Sequence, residues 1–170
     1  MPPEERVRQF TEISNLLRSI GNAGLTPLVV PGVYDIPHRG HVHFLRAARA
    51  VDPRRSVVVV GVENDENVRL RKGRNRPINT AEERMDVLAE FGSVDYVFMY
   101  PDTPRYDHPE DFLARYRETS AAALVVPDWD PYLGLKQDQA SDVDMDIAVV
   151  HYEFFRNSTT TMLQAVGFQE

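Results

Sequence analysis

No cysteine occurs anywhere in the 170-residue chain. That excludes disulfides and thiolate metal sites and fits a reducing compartment. No apolar run approaches the roughly 18 residues of a membrane span, and the first ten residues, MPPEERVRQF, lack the apolar segment of a secretory signal. The expectation is a soluble, cytoplasmic protein. Positive charge is also scarce: 19 basic residues against 26 acidic ones leave a net charge of −7, which argues against general nucleic-acid binding. Lysine is nearly missing, with only Lys72 and Lys136. What basic charge exists is concentrated, since Arg69, Arg71, Lys72, Arg74 and Arg76 fall within eight residues. No aromatic residue interleaves with them as a single-strand nucleic-acid stripe would require.

The apolar residues that are present form a readable pattern. Val7, Phe10, Ile13, Leu16, Leu17 and Ile20 recur at steps of three and four, which predicts a helix over 4–20. Short apolar runs at 28–34, 56–62, 94–100, 122–127 and 147–153 read as five strands. Helices are expected over 41–51, 80–91 and 109–119 and from Ser158 onward, with Thr80 and Glu83 forming a capping box. Residues 63–79 and 128–146 read as irregular. Strands alternating with helices predict an α/β fold with a mostly parallel sheet covered on both faces. The length and the absence of any boundary signal predict one domain over 1–170, with 1–22 as a helical N-terminal extension.

Three of the five histidines, His38, His41 and His43, lie within PGVYDIPHRGHVHFL (31–45). Parallel sheets bind ligands at the carboxyl ends of their strands. Here an apolar strand ends, and Gly40–His41 opens a helix whose free N–H groups attract phosphate. His38 and His41 flank that start, and Gly32 would allow a tight turn or close approach of a ligand. A zinc site is the weaker reading, because His41 and His43 do not share a helix face and no cysteine completes a ligand set. Ordinary surface histidines are the remaining alternative, and His43 alone is assigned to it.

The same stretch resembles the signature G-x-[FY]-D-x-x-H-x-G-H-x-x-x-L of the cytidylyltransferase-like nucleotidyltransferases, with Gly32, Tyr34, Asp35 and Leu45 in register. A second block, VGVENDENVRLRKGRNRPINTAEERMDVLAEFGSVDYVF, is similar to the family's in its strand end, Lys-Gly pair, Arg-Pro pair, Glu-Arg and V-D-Y-V. A third, NSTTTML, resembles its S-T-T motif. Together the blocks cover about 28–165. The resemblance implies a Rossmann-like three-layer α/β/α core with a five-stranded sheet. It also implies transfer of a nucleoside monophosphate from CTP or ATP to a small phosphorylated or phosphonate acceptor, with release of pyrophosphate. His38, His41, Lys72 and Arg84 would act on the phosphates. Gly32, Val33, Tyr34, Asp35, Gly40, Ser158 and Thr159 would complete the nucleotide site, the amides of Gly40 and His41 assisting. Asp35 would either help a metal or, by preference, fix the turn. A magnesium ion would accompany the nucleotide, and a homodimer is expected by analogy.

The chain departs from its relatives near the third block. Cytidylyltransferases usually carry R-T-x-G-x-S-T-T; here Tyr152 stands in the arginine's place and Arg156 in the glycine's, where Arg156 would alter base choice or replace the missing charge. The second block looks most like heptose-1-phosphate adenylyltransferases, while the first fits these and the glycerol-3-phosphate and ethanolamine-phosphate cytidylyltransferases about equally. Asp128 and Trp129 follow the fourth strand, with Pro127 where relatives carry glycine. Trp129 would either stack on the base or pack the core. Arg105, His108 and Trp129 are candidates for an acceptor pocket. The alternative function is a nucleotide-binding or regulatory module of the same fold without turnover.

Overall fold

Four consecutive valines, 57–60, place side chains alternately on opposite sides of a strand, so a strand built from them must be covered on both faces. The computed structural model describes residues 1–105, 108–153 and 158–167. After a 3-10 turn (Pro3–Glu5) come β1 (Val7–Arg8), α1 (Phe10–Asn22), β2 (Thr26–Gly32) and α2 (Arg39–Arg49). Next are β3 (Ser56–Val62), α3 (Asp65–Lys72), α4 (Ala81–Ala89), β4 (Tyr96–Met99) and α5 (Pro109–Thr119). The chain then forms β5 (Ala123–Pro127), α6 (Leu133–Ser141), β6 (Ile147–Val150) and α7 (Thr159–Ala165).

The strands form one parallel sheet in the order β1-β4-β3-β2-β5-β6. Val58, Val60 and Val62 face Leu45 and Ala48 of α2 and Leu88 of α4. On the other face Val59 joins Ile13 and Leu17 of α1, Tyr116 of α5 and Ala140 of α6. These are the three α/β/α layers expected, and α1 is part of one of them, covering the sheet. From β2 the chain winds outward through β3 and β4, then returns to the other side of β2 to place β5. That reversal opens a crevice at the carboxyl ends of β2 and β5, the position where such sheets take their ligands.

Three expectations need correction. The sheet has six strands, because Val7–Arg8 pairs with Val97 and Phe98 of β4 and the helix begins only at Phe10. Arg6 fixes this start: its Nη1 donates to the carbonyls of Ala89, Phe91 and Val94. Val7 fits a helical rhythm by spacing, yet it covers the edge of β4. Residues 63–79 are not all loop, since α3 is capped by Asn64, whose Oδ1 accepts from Asn67 N at 2.8 Å. Residues 128–146 contain α6. Both helices bury little apolar surface, Val68 in one and Ala140 in the other, so periodicity gave no sign of them.

Candidate active site

The end of β2 is shaped by one aromatic ring. Tyr34 takes a positive φ of 53°, and its buried ring turns back over Gly32, where a Cβ would lie 2.6 Å from a ring carbon. Gly32 itself stays in the extended strand. Its role is therefore to make room for Tyr34, rather than to turn the chain or admit a ligand. Burial raises the Tyr34 phenol well above its ordinary pKa, and its hydroxyl donates to Val30 O at 3.4 Å. Asp35 follows, 2% exposed. Its Oδ2 accepts from Arg76 Nε at 2.6 Å, and its Oδ1 accepts from the amides of Ile78 at 2.7 Å and Asn79 at 3.1 Å. It fixes the 76–79 segment under the site.

His38 is the N-cap of α2 and His41 its third residue. The two cap each other. His38 Nδ1 accepts from Gly40 N at 3.1 Å, and His41 Nδ1 accepts from His38 N at 3.2 Å. An imidazole nitrogen that accepts from an amide carries no proton, so in each neutral ring the proton sits on Nε2. The rings lie against each other, tilted by 33° with centroids 3.9 Å apart, and Tyr34 packs against His41 at 5.0 Å. Burial, and then the neighbouring His38, push His41 down to about 3; burial also lowers His38. Both rings are neutral at pH 7, each with one N–H left to give. The helix amides expected to face an anion are engaged instead by His38 Nδ1. His43 lies outside, where its Nε2 accepts from Arg39.

An open cleft of about 210 Å³ is lined by Val33, Tyr34, Asp35, both histidines, Lys72, Arg76 and Ser158 to Thr160. Lys72 ends α3, and Gly73 follows at φ 91°, a conformation that explains the Lys-Gly pair. Ser158 caps α7, its Oγ accepting from Thr161 N. Thr159 donates its hydroxyl to Ile36 O at 3.0 Å, which pins α7 against the loop after β2.

The cytidylyltransferase-like family model matches residues 29–165. This chain belongs to the cytidylyltransferase-like family. The bifunctional protein HldE of Methylococcus capsulatus is 39% identical over 104 residues, 61% of this chain and 21% of that one. Its counterpart in Coxiella burnetii is 41% identical over 93 residues, 52% of this chain and 19% of that one. The chain spans about a fifth of the length of the curated relatives it matches. Among solved structures, the lipopolysaccharide core biosynthesis protein from Thermoplasma volcanium shares the fold, with a TM-score of 0.61 at 21% identity, over 78% of this chain and 99% of that one.

Membership in the cytidylyltransferase-like family directs attention to Arg84, and here the structure corrects the expectation. Arg84 is 1% exposed and does not line the cleft. Its Nη1 donates to Val33 O at 2.5 Å, its Nη2 to Glu63 O at 2.8 Å and Asp65 Oδ1 at 2.6 Å, and its Nε to Asn79 O at 3.1 Å. It ties the ends of β2 and β3 to α3 and positions the cleft without facing it. Arg76, the first residue of the Arg-Pro pair, is the arginine that lines it among the described residues.

Asp128 and Trp129 do not line the cleft. Asp128 bonds His151 Nδ1 at 2.7 Å. Trp129 is 43% exposed and meets Tyr152 edge-on at 5.6 Å, while Tyr152 stacks on Phe44 of α2 at 5.3 Å. Trp129 therefore does not pack the core; it forms the outer end of an aromatic row beside α2. Arg105 and His108 precede α5, beyond the end of β4, whereas Trp129 follows β5. Two strands separate β4 from β5 in the sheet. Arg156 lies outside the described residues. The residues of the cleft do not make a resident metal site. Among the described residues Asp35 is its only carboxylate and is bonded to Arg76 and two amides, and no cluster of three metal-ligating side chains occurs among them. Nor is any helix among them long and apolar enough to cross a membrane.

Proposed function

We propose that this protein transfers a nucleoside monophosphate from a nucleoside triphosphate to the phosphate of a small acceptor, with release of pyrophosphate. ATP is the better fit of the two nucleotides expected. The second sequence block is most similar to that of adenylyltransferases acting on a sugar 1-phosphate, and Tyr152 stands where cytidylyltransferases carry arginine. The observation that carries the reading is the pair of neutral imidazoles, locked by reciprocal capping and lining one cleft with Lys72 and the Ser158–Thr160 segment.

An oxygen of the acceptor phosphate attacks the α-phosphorus. A new P–O bond forms as the bond to the bridging oxygen breaks, and pyrophosphate departs with that electron pair. The acceptor is already anionic at neutral pH, so no protein base is required. Charge builds on the non-bridging α-oxygens in the five-coordinate transition state. The Nε2–H groups of His38 and His41 donate there, and they do not need to reorient because capping has already fixed them. Lys72 and Ser158 hold the remaining phosphates, with Thr159 pinning α7 beside them. A magnesium ion would arrive bound to the triphosphate oxygens and would supply charge neutralisation.

The test is pyrophosphate release from ATP and from CTP, each with a panel of sugar 1-phosphates and alcohol phosphates. His38→Asn and His41→Asn should each lower kcat by about 10²–10³ with little change in KM. Nucleotide binding without pyrophosphate release for any acceptor would overturn the catalytic reading in favour of a binding module.

A further inference from the structure

Helix α3 carries Lys72 to the cleft, yet apolar packing barely holds it. It buries one apolar side chain, Val68, and leaves Leu70 72% exposed. Polar ties at its first turn fix it instead. The cap, Asn64, accepts through Oδ1 from Asn67 N at 2.8 Å and from Thr103 Oγ1 at 3.2 Å. Its Nδ2 donates to the carbonyls of Asp102 and, at 3.3 Å, Tyr100. Asn67, 2% exposed, donates through Nδ2 to Glu63 Oε2.

Arg115 of α5 holds both of these anchors. Its Nη1 donates to Glu63 Oε1 at 3.0 Å and Oε2 at 3.1 Å. Its Nε donates to Asp102 Oδ1 at 3.0 Å and Oδ2 at 2.9 Å, and its Nη2 to Asp102 O at 2.8 Å, the carbonyl that Asn64 also uses. The guanidinium is 5% exposed and lies 4.3 Å from the centroid of the Tyr100 ring. One planar cation thus fixes the carboxylate that receives Asn67 and the carbonyl that receives Asn64; a lysine ammonium, a single point of charge, does not span both. Arg115 does not border the cleft. It lines a second cavity of about 360 Å³ with Phe10 and Asp102, so its influence on a ligand of the cleft travels through α3. That helix has eight residues and is about 12 Å long, so a tilt of about 10° at its cap moves its far end by about 2 Å. A shift of that size breaks a charge-assisted hydrogen bond.

We propose that Arg115 is a positioning residue for polyphosphate binding: through Glu63 and Asp102 it sets the first turn of α3, and so places Lys72 at the cleft. The inference rests on the nucleotidyltransferase reading and adds to it a residue of α5 that lies outside the cleft and outside the three sequence blocks.

Calorimetric titration of the full chain with ATP, inorganic pyrophosphate and AMP, in a double-mutant cycle of Arg115→Met and Lys72→Met, tests this. Each single variant should weaken ATP and pyrophosphate by about tenfold and AMP by less than about threefold. Because Arg115 acts through Lys72, the double variant should bind pyrophosphate within about twofold of Lys72→Met alone. A purely structural role would multiply the two losses, to about 100-fold, and that result would overturn the proposal. An Arg115→Met protein that binds as the wild type does, or that loses AMP as severely as pyrophosphate, would overturn it too.

Arg115→Met removes the cation bonded to Glu63. Should that variant fail to fold, Arg115→Lys carries the same cycle, because it keeps a cation and loses the span. It should weaken ATP and pyrophosphate by about three- to tenfold, with no further loss in the Lys72→Met background; wild-type affinity of the folded protein would overturn the assignment. A wild-type protein that binds neither ATP nor pyrophosphate would overturn the nucleotidyltransferase reading itself, and this inference with it. Wild-type binding that Lys72→Met leaves intact would overturn this inference alone.

Discussion

The neutrality of His41 has a consequence for stability that is measurable without any substrate. In the unfolded chain an imidazole titrates near 6.5; in the folded protein burial and His38 push His41 down to about 3. Below pH 6.5 the unfolded chain therefore binds a proton that the folded chain refuses. Its contribution to stability is fully present above about pH 6.5 and is lost progressively as pH falls toward 3, at about 1.4 kcal/mol per pH unit. Between pH 7.0 and 4.5 the loss from this one group comes to about 2.5 kcal/mol. Other groups titrate over the same window, so the comparison must be with a variant that lacks the ring and keeps the cap. His41→Asn does both, since the asparagine Oδ1 is still able to accept from His38 N. Urea denaturation of both proteins at the two pH values gives four free energies. The advantage of the wild type over the variant should shrink by about 2.5 kcal/mol at the lower pH, about 1 M in relative midpoint for a urea slope near 2 kcal/mol per M. An advantage that stays within about 0.5 kcal/mol of its pH 7.0 value would refute the reasoning: His41 would then titrate as an ordinary histidine, and the donor assigned to the transition state would be charged in mild acid.

Gly32→Ala places a Cβ 2.6 Å from the Tyr34 ring. It should cost about 1–3 kcal/mol by overpacking and lower activity through the displaced His41 ring; Gly32→Ala combined with Tyr34→Leu should recover most of the thermal stability. Arg84→Met removes the donor to Asp65 and to the carbonyls of Val33, Glu63, Asn79 and Thr80, so it should cost about 3–5 kcal/mol in chemical denaturation, a loss far greater than that of any exposed arginine. Arg6→Ala removes one side-chain donor shared by the carbonyls of Ala89, Phe91 and Val94. It should cost about 1–3 kcal/mol and speed hydrogen exchange at Val97, whose amide bonds Arg6 O.

The parts of this fold that were legible in the sequence are those where one residue type leaves little choice. A valine run buried on both faces admits few structures besides a central parallel strand, and β2, β3 and β5 were found that way. The parts that were missed are held by polar groups. β1 is two residues long and exists because Arg6 reaches three carbonyls across 83 to 88 positions of sequence, a distance over which spacing carries no information. The helix α3 is specified by its Asn64 cap and α6 by Asp130, which accepts from Tyr132 N and Lys136 Nζ; neither has an apolar stripe to reveal it. The exchange of roles between Arg76 and Arg84 has the same origin. Charge and spacing place both in the right block, but neither tells that Arg76 borders the cleft while Arg84 is bonded to the backbone around it.

The histidine pair is intermediate, because its spacing is that of an ordinary structural device. Gln9 N donates to Glu12 at 3.0 Å, Thr80 and Glu83 cap reciprocally, and Ser158 and Thr161 do the same. His38 and His41 occupy the same two positions at the start of α2, the N-cap and the third residue. What differs is what remains after capping. The carboxylates of Glu12 and Glu83 accept an amide and have no proton left to offer. An imidazole that accepts through Nδ1 still carries a donor on the opposite side of its ring, and the cap has fixed which side that is. The chain obtains a rigid, uncharged pair of donors from the interaction that starts a helix, so the H-x-G-H spacing reads as a capping box before it reads as catalytic machinery. The His41→Asn variant separates these two roles: the cap, and with it the fold, should persist after the imidazole Nε2–H is gone from its place.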